Sequence, residues 1–186
     1  AFFLLCEEEL KPCGCSLYDF FPYKYGPFSF SLMRLDIQKL INDGLISDLP
    51  YRIIDKKRAG KIIDGLDDAM SSALEKTHDK YGKIGVAKVK DYVYSSYPYF
   101  AIHNENNQKA YASHDPANSP LLQEAGIFTI GYEGRSLDGF LNTLIANNVK
   151  TLVDIRNNPV SMKYGFTGRL LKHYVEETGI KYISIP

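Results

Sequence analysis

The chain has 186 residues, 45% hydrophobic and 24% charged, with 22 basic against 22 acidic side chains. That suits one or two globular domains and excludes wholesale disorder, and a net charge of zero excludes a global field that draws in nucleic acid or membrane. No apolar run reaches membrane-spanning length and AFFLLC lacks a basic leader, so the expected setting is cytoplasmic, with no membrane partner.

Residues 1–10, AFFLLCEEEL, have the pattern of an amphipathic helix that Pro12 and Gly14 end. Cys6 falls on its apolar side, with Cys13 and Cys15 in the loop beyond. An odd cysteine count fits reduced thiols rather than a disulfide scaffold, and C-x6-C-x-C lacks a second ligand pair at zinc-site spacing. No metal and no cofactor is expected.

YDFFPYKYGPFSFSL, broken by Pro22 and by Gly26-Pro27, reads as a turn-containing linker. A helix follows, with Leu32, Leu35, Ile37, Leu40 and Ile41 near helical spacing and Gly44 at its stop. Tyr51, Ile53 and Ile54 then suggest a short strand, and DKKRAGK a turn. That order resembles the end of a winged helix-turn-helix. Residues 50–61 carry Arg52, Lys56, Lys57, Arg58 and Lys61 against Asp55, five bases less one acid, or +4. Such a wing suits phosphate contacts with DNA or RNA; the plainer alternative is a solvated hairpin.

Residues 60–81 and 84–95 read as two more helices, the second ended by Pro98. HNENNQ and SHDPANSPLLQEAG follow, and the latter reads as the interdomain linker. His78, His103 and His114 fit surface or capping positions better than ligand positions. The expected division is a winged-helix-like region over 1–59, a helical extension over 60–112, a linker over 113–126 and an α/β domain over 127–186.

In that last stretch the elements alternate: strand IFTIG, loop YEGRS, helix LDGFLNTLIANN capped by Ser136, strand KTLVDIR, loop NNPVSMKYGF, helix TGRLLKHYVEETG, strand IKYISIP. The fold class is therefore α/β, a β-α-β-α-β parallel, Rossmann-like sheet after a mainly helical N-terminal domain. Three strands leave edges open, so this domain reads as truncated.

Ligands of parallel sheets bind beyond the strands' C-terminal ends, where GYEGRS and RNNPVSMKYGF lie. Gly131 and Gly134 allow close backbone approach, Ser136 opens a helix N-terminus suited to anions, and Arg135 adds a bidentate cation. From Ile155 through Val175 there is no acid, while Arg156, Lys163, Arg169 and Lys172 all occur. An anionic, phosphate-bearing ligand is the expectation. Asp154 and Arg156 share one side of a strand, and an acid inside a sheet demands a partner. They are either a structural pair or a site in which Asp154 orients Arg156, or acts as a base with Glu133 nearby. The catalytic role is unknown; Asp154, Arg156 and Glu133 are the candidates.

IFTIGYEGRSLDGFLNTL, VKTLVDIRNNPVSMKYGF and a helix ending GIKYI resemble the bacterial and archaeal family called domain of unknown function 488, over residues 127–186. The likeness implies an α/β domain in a nucleic-acid or defence-related setting and no established reaction. It falls on Gly131, Tyr132, Arg135, Ser136, Asp154, Arg156, Pro159, Ser161, Gly165 and Phe166. Residues 18–46 are similar, more weakly, to N-terminal regions fused to some members and to the Y-G-P-F segment of Panacea-type antitoxin domains.

Two readings follow. In the first, the protein is nucleic-acid-associated and its α/β domain binds an anion. In the second, it is an enzyme acting on a nucleotide or phosphorylated small molecule, with the N-terminal region serving homodimerisation or partner contact.

Overall fold

A computed structural model describes residues 1–103 and 126–185. The expected linker, apart from Gly126, and His114 lie outside the described residues. The chain mixes helix with small sheets, as an α/β reading expects, and divides into two compact units that do not follow chain order. Unit 1 is Ala1–Tyr18 with Ser29–Ser96; unit 2 is Asp19–Phe28 with Tyr97–Pro186. No helix among the described residues is long and apolar enough to cross a membrane.

Unit 1 opens with helix α1 (Phe2–Leu4), which continues as a wide π turn over Leu5–Leu10 and a tight 3-10 turn over Lys11–Cys13. Phe3, Leu4, Leu5, Cys6 and Leu10 are buried, while Cys13 and Cys15 are exposed. Burial pushes the Cys6 thiol up to about 11, which keeps it a packing residue. Another π stretch, Leu32–Ile37, runs into α2 (Gln38–Asn42), and Gly44 turns the chain at φ +68°. The expected strand at Tyr51–Ile54 is reduced to a single antiparallel bridge, Ile46 with Ile53.

The expected turn at DKKRAGK is instead helix α3 (Lys56–Asp64). Asp55 caps it, accepting from the Arg58 amide at 2.9 Å, and lysine, arginine and alanine favour helix strongly enough to carry Gly60. The single helix expected over 60–81 is two. Gly65 ends α3, and Asp67 caps α4 (Asp68–Tyr81), its carboxylate accepting from the Met70 amide at 2.7 Å. α5 (Val86–Ser96) matches its expected position.

Glu8 ties these helices together. It accepts from Lys80 Nζ at 2.8 Å, Tyr81 Oη at 2.6 Å and Tyr92 Oη at 2.8 Å. Burial pulls the Glu8 carboxyl upward, but these bonds win and hold it below its ordinary value.

In unit 2, the segment expected as a linker is a hairpin. β1 (Phe21–Tyr23) pairs antiparallel with β2 (Gly26–Phe28), Phe21 opposite Phe28, across Lys24 and Tyr25. It packs on a 3-10 turn, Pro98–Ala101, and β1 also meets α6 (Leu137–Ala146). α6 buries Leu137, Phe140, Leu141, Leu144 and Ile145, the apolar face its spacing expects. β3 (Thr151–Asp154) follows, then α7 (Gly168–Glu177), a stop at Gly179 and β4 (Lys181–Ser184). β3 and β4 are parallel, Thr151 opposite Lys181 and Asp154 opposite Ser184.

The expected first strand is absent from this sheet. Residues 127–131 run without strand pairing, with Ile127 and Phe128 exposed. A strand exists through its ladder, and these residues find no pairing partner among those described; residues 128–131 line a cleft together with Leu152 of β3. The sheet is therefore two-stranded among the described residues. β3 is also not buried on both faces: Asp154 points inward at 6% exposure, while Val153 is 42% and Ile155 77% exposed.

Candidate functional site

Asp154 is buried at the C-terminal end of β3, and Arg156 follows two residues on. Arg156 Nε donates to Asp154 Oδ1 at 2.8 Å and Nη2 to Oδ2 at 2.5 Å, a two-point clamp closed by the Arg156 amide on Oδ1 at 3.1 Å. Nη1 donates to the carbonyl of Phe166 at 2.8 Å, so the same guanidinium ties the strand end to the far end of the following loop. Tyr182 adds a hydrogen bond from Oη to Asp154 Oδ2 at 2.6 Å. The Arg156 guanidinium holds the Asp154 carboxyl at about 2, against burial, with Tyr182 assisting. Burial and the Asp154 charge push the Tyr182 hydroxyl up to about 12. Asp154 keeps the Arg156 guanidinium charged beyond its ordinary range.

Aromatic stacking joins the two loops. Tyr132 stacks on Phe166 with centroids 4.7 Å apart and planes at 20°, and Arg156 Cζ lies 5.3 Å from the Tyr132 centroid. Lys163 Nζ donates to the Tyr132 carbonyl at 3.2 Å. Gly165 takes φ +81°, and a Cβ there would sit 2.6 Å from Leu137 Cδ2. Its neighbour Phe166 is fully buried.

The other predicted positions separate. Pro159 accepts from the Gly168 amide at 2.7 Å, and Ser161 accepts from the Lys163 amide and, through its carbonyl, from Thr167. Gly134, at φ +72°, turns the loop, and Glu133 is exposed. Ser136 caps α6 as expected, accepting from the Gly139 amide at 2.9 Å. Its hydroxyl also donates to Asp19 Oδ2 at 2.5 Å, so a carboxylate of the chain itself stands at this helix start. Gly131 and Arg135 line the cleft beside β3, a space of about 300 Å³. Arg52, Lys56, Lys57, Arg58 and Lys61 are exposed on unit 1, four of them on α3.

Tyr182 and Asp19 are the site residues that inspection of the loops misses. Tyr182 was legible in the alternation of KYIS: register with Leu152 puts it on the Asp154 face. Asp19 lies 117 residues from Ser136 and leaves no local signal. Among the described residues no group of three or more His, Cys, Asp or Glu side chains is placed to hold a metal.

Comparison with known families bears on this unit. Residues 136–186 match the family model described as Domain of unknown function DUF488. The matched segment holds α6, β3, α7 and β4, hence the Asp154–Arg156–Tyr182 cluster, while Gly131, Tyr132 and Arg135 precede it. Residues 1–59, expected to be winged-helix-like, lie outside the match. No curated protein and no solved structure matches the chain significantly.

Proposed function

We propose that the protein associates with nucleic acid through α3. The supporting observation is that α3 buries none of its residues yet carries Lys56, Lys57, Arg58 and Lys61. Arg58 has a nearby acid, Asp43 Oδ2 at 3.7 Å, in an exposed geometry worth little. A helix that contributes no side chain to a core and concentrates positive charge in a neutral protein is suited to a polyanion. The helix before Gly44 and the Ile46–Ile53 bridge support a winged-helix-like origin for this surface, and the parallel β3–α7–β4 unit a Rossmann-like one for unit 2. Anisotropy of a labelled duplex, with and without K56A/K57A/R58A, tests the reading. Salt-sensitive binding that the triple substitution weakens is expected.

A second reading concerns unit 2. The cleft beside Arg135 favours binding of a small anion there, as an enzyme or sensor of a phosphorylated molecule would need. Thermal stabilisation of the folded protein by phosphate compounds, lost in Arg135→Gln, tests it.

A further inference from the structure

The cleft in unit 2 is built from two unlike walls. Phe128, Ile130, Leu144, Val149 and Leu152 supply apolar surface. Arg135, Thr143 and Asn147 supply the polar side. Thr143 Oγ1 donates to the Gly139 carbonyl at 2.8 Å and accepts from Arg135 Nη1 at 3.3 Å, so it steadies the arginine arm without neutralising it. Asn147 Nδ2 donates to the Thr143 carbonyl at 2.8 Å, which leaves its amide oxygen as an acceptor.

Arg135 differs in this from Arg156 and Lys163, the other cations of the two loops. Arg156 is clamped by Asp154 and the Phe166 carbonyl, and Lys163 is engaged with the Tyr132 carbonyl. Arg135 has no carboxylate partner among the described residues, and its one side-chain hydrogen bond goes to a neutral hydroxyl. Most of its five donors therefore remain for a ligand. The apolar wall excludes a purely hydrated anion as the best fit, because it would leave that surface uncovered. A space of about 300 Å³ stands at the small end of ligand pockets, which run from roughly 300 to 1,000 Å³.

We propose that this cleft binds a compact amphipathic anion: a carboxylate or phosphate head held by Arg135, on a flat apolar body lying between the Phe128–Ile130 segment and Leu144, Val149 and Leu152. The proposal rests on the anion-binding reading of unit 2 and narrows it. The body of the ligand takes the place that a third strand would fill beside β3, in contact with the segment 128–131.

The test is an amide chemical-shift titration of the full chain with phenyl phosphate, benzoate, inorganic phosphate and benzyl alcohol. Saturable shifts confined to residues 128–131, 135 and 143–149 are expected with phenyl phosphate or benzoate. The difference between the two probes then tells a phosphate head from a carboxylate. Inorganic phosphate and benzyl alcohol should each bind at least about tenfold more weakly, since each lacks one half of the contact. Arg135→Gln should weaken binding about tenfold or more, and Val149→Phe, which fills the cleft, should abolish it while the spectrum stays dispersed. Inorganic phosphate binding as tightly as phenyl phosphate would overturn the amphipathic ligand yet keep the anion site. Absence of saturable shifts with all four compounds would overturn both. Binding that survives both substitutions would place the ligand elsewhere and defeat the proposal.

Discussion

Arg156 grips Asp154 at two points, Nε on Oδ1 at 2.8 Å and Nη2 on Oδ2 at 2.5 Å, and carries the grip on to the Phe166 carbonyl. The pair is a fastening between the end of β3 and the loop that returns to α7. Its carboxylate is almost wholly buried, at 4% side-chain exposure. Removing the cation strands that charge beside Tyr182. Arg156→Ala should therefore destabilise unit 2 by about 3 kcal/mol, the scale for breaking a buried pair from one side. Urea unfolding measures it, and the loss should exceed that of Tyr182→Phe, which removes one neutral donor worth about 1 kcal/mol.

The same pair sets an acid limit. The Asp154 carboxyl is depressed in the folded state to about 2, so its contribution is complete above the unfolded value near 4 and fades as pH falls from there to about 2. Stability measured across that window should drop by about 2 kcal/mol more in the natural protein than in Asp154→Asn. Tyr182 works in the opposite sense. Its hydroxyl is raised to about 12, so its share is full below about 10 and is lost as pH rises toward 12, and Tyr182→Phe should flatten that alkaline limb.

Asp19 and Ser136 make a position-specific prediction at Gly139. A Cβ there would sit 2.8 Å from Asp19 Oδ2 and 3.2 Å from Ser136 Oγ. Alanine ordinarily favours helix over glycine by about 1 kcal/mol. Gly139→Ala should nonetheless destabilise the protein, and should become neutral or stabilising in an Asp19→Ala background. The double-mutant cycle measures that reversal directly.

Glu8 serves unit 1 as Asp154 serves unit 2. Glu8→Ala leaves Tyr81, which is buried, and Tyr92 without their acceptor. A loss of about 2–3 kcal/mol, the cost of breaking bonds to a charged acceptor, is expected in thermal or urea unfolding.

Much of this was legible where the signal is local. Ser136 as N-cap, the apolar face of α6, the stop at Gly179 and the parallel β3–β4 pair follow from residue type and spacing. The misreadings have equally local causes. Lysine-rich DKKRAGK carries both turn and helix chemistry, and the Asp55 cap decides for helix. IFTIG has strand composition, but composition supplies no ladder partner, and residues 127–131 pair with none among the described residues. The hairpin at residues 21–28 gains its stability from packing in unit 2. No local pattern could have assigned DFFPYKYGPF to a unit that resumes only at Tyr97, or paired Asp19 with Ser136.

The α3 surface carries the central functional claim, and the salt dependence of duplex binding tests it most directly. Five exposed bases, Arg52, Lys56, Lys57, Arg58 and Lys61, predict a slope of log K against log salt of about −4 to −5, from about −0.9 per neutralised phosphate. K56A/K57A/R58A should shallow that slope by about 3 and leave the fold intact, because α3 buries none of its side chains. A folded protein that fails to bind at low salt, or one whose slope the triple substitution leaves unchanged, would contradict the account.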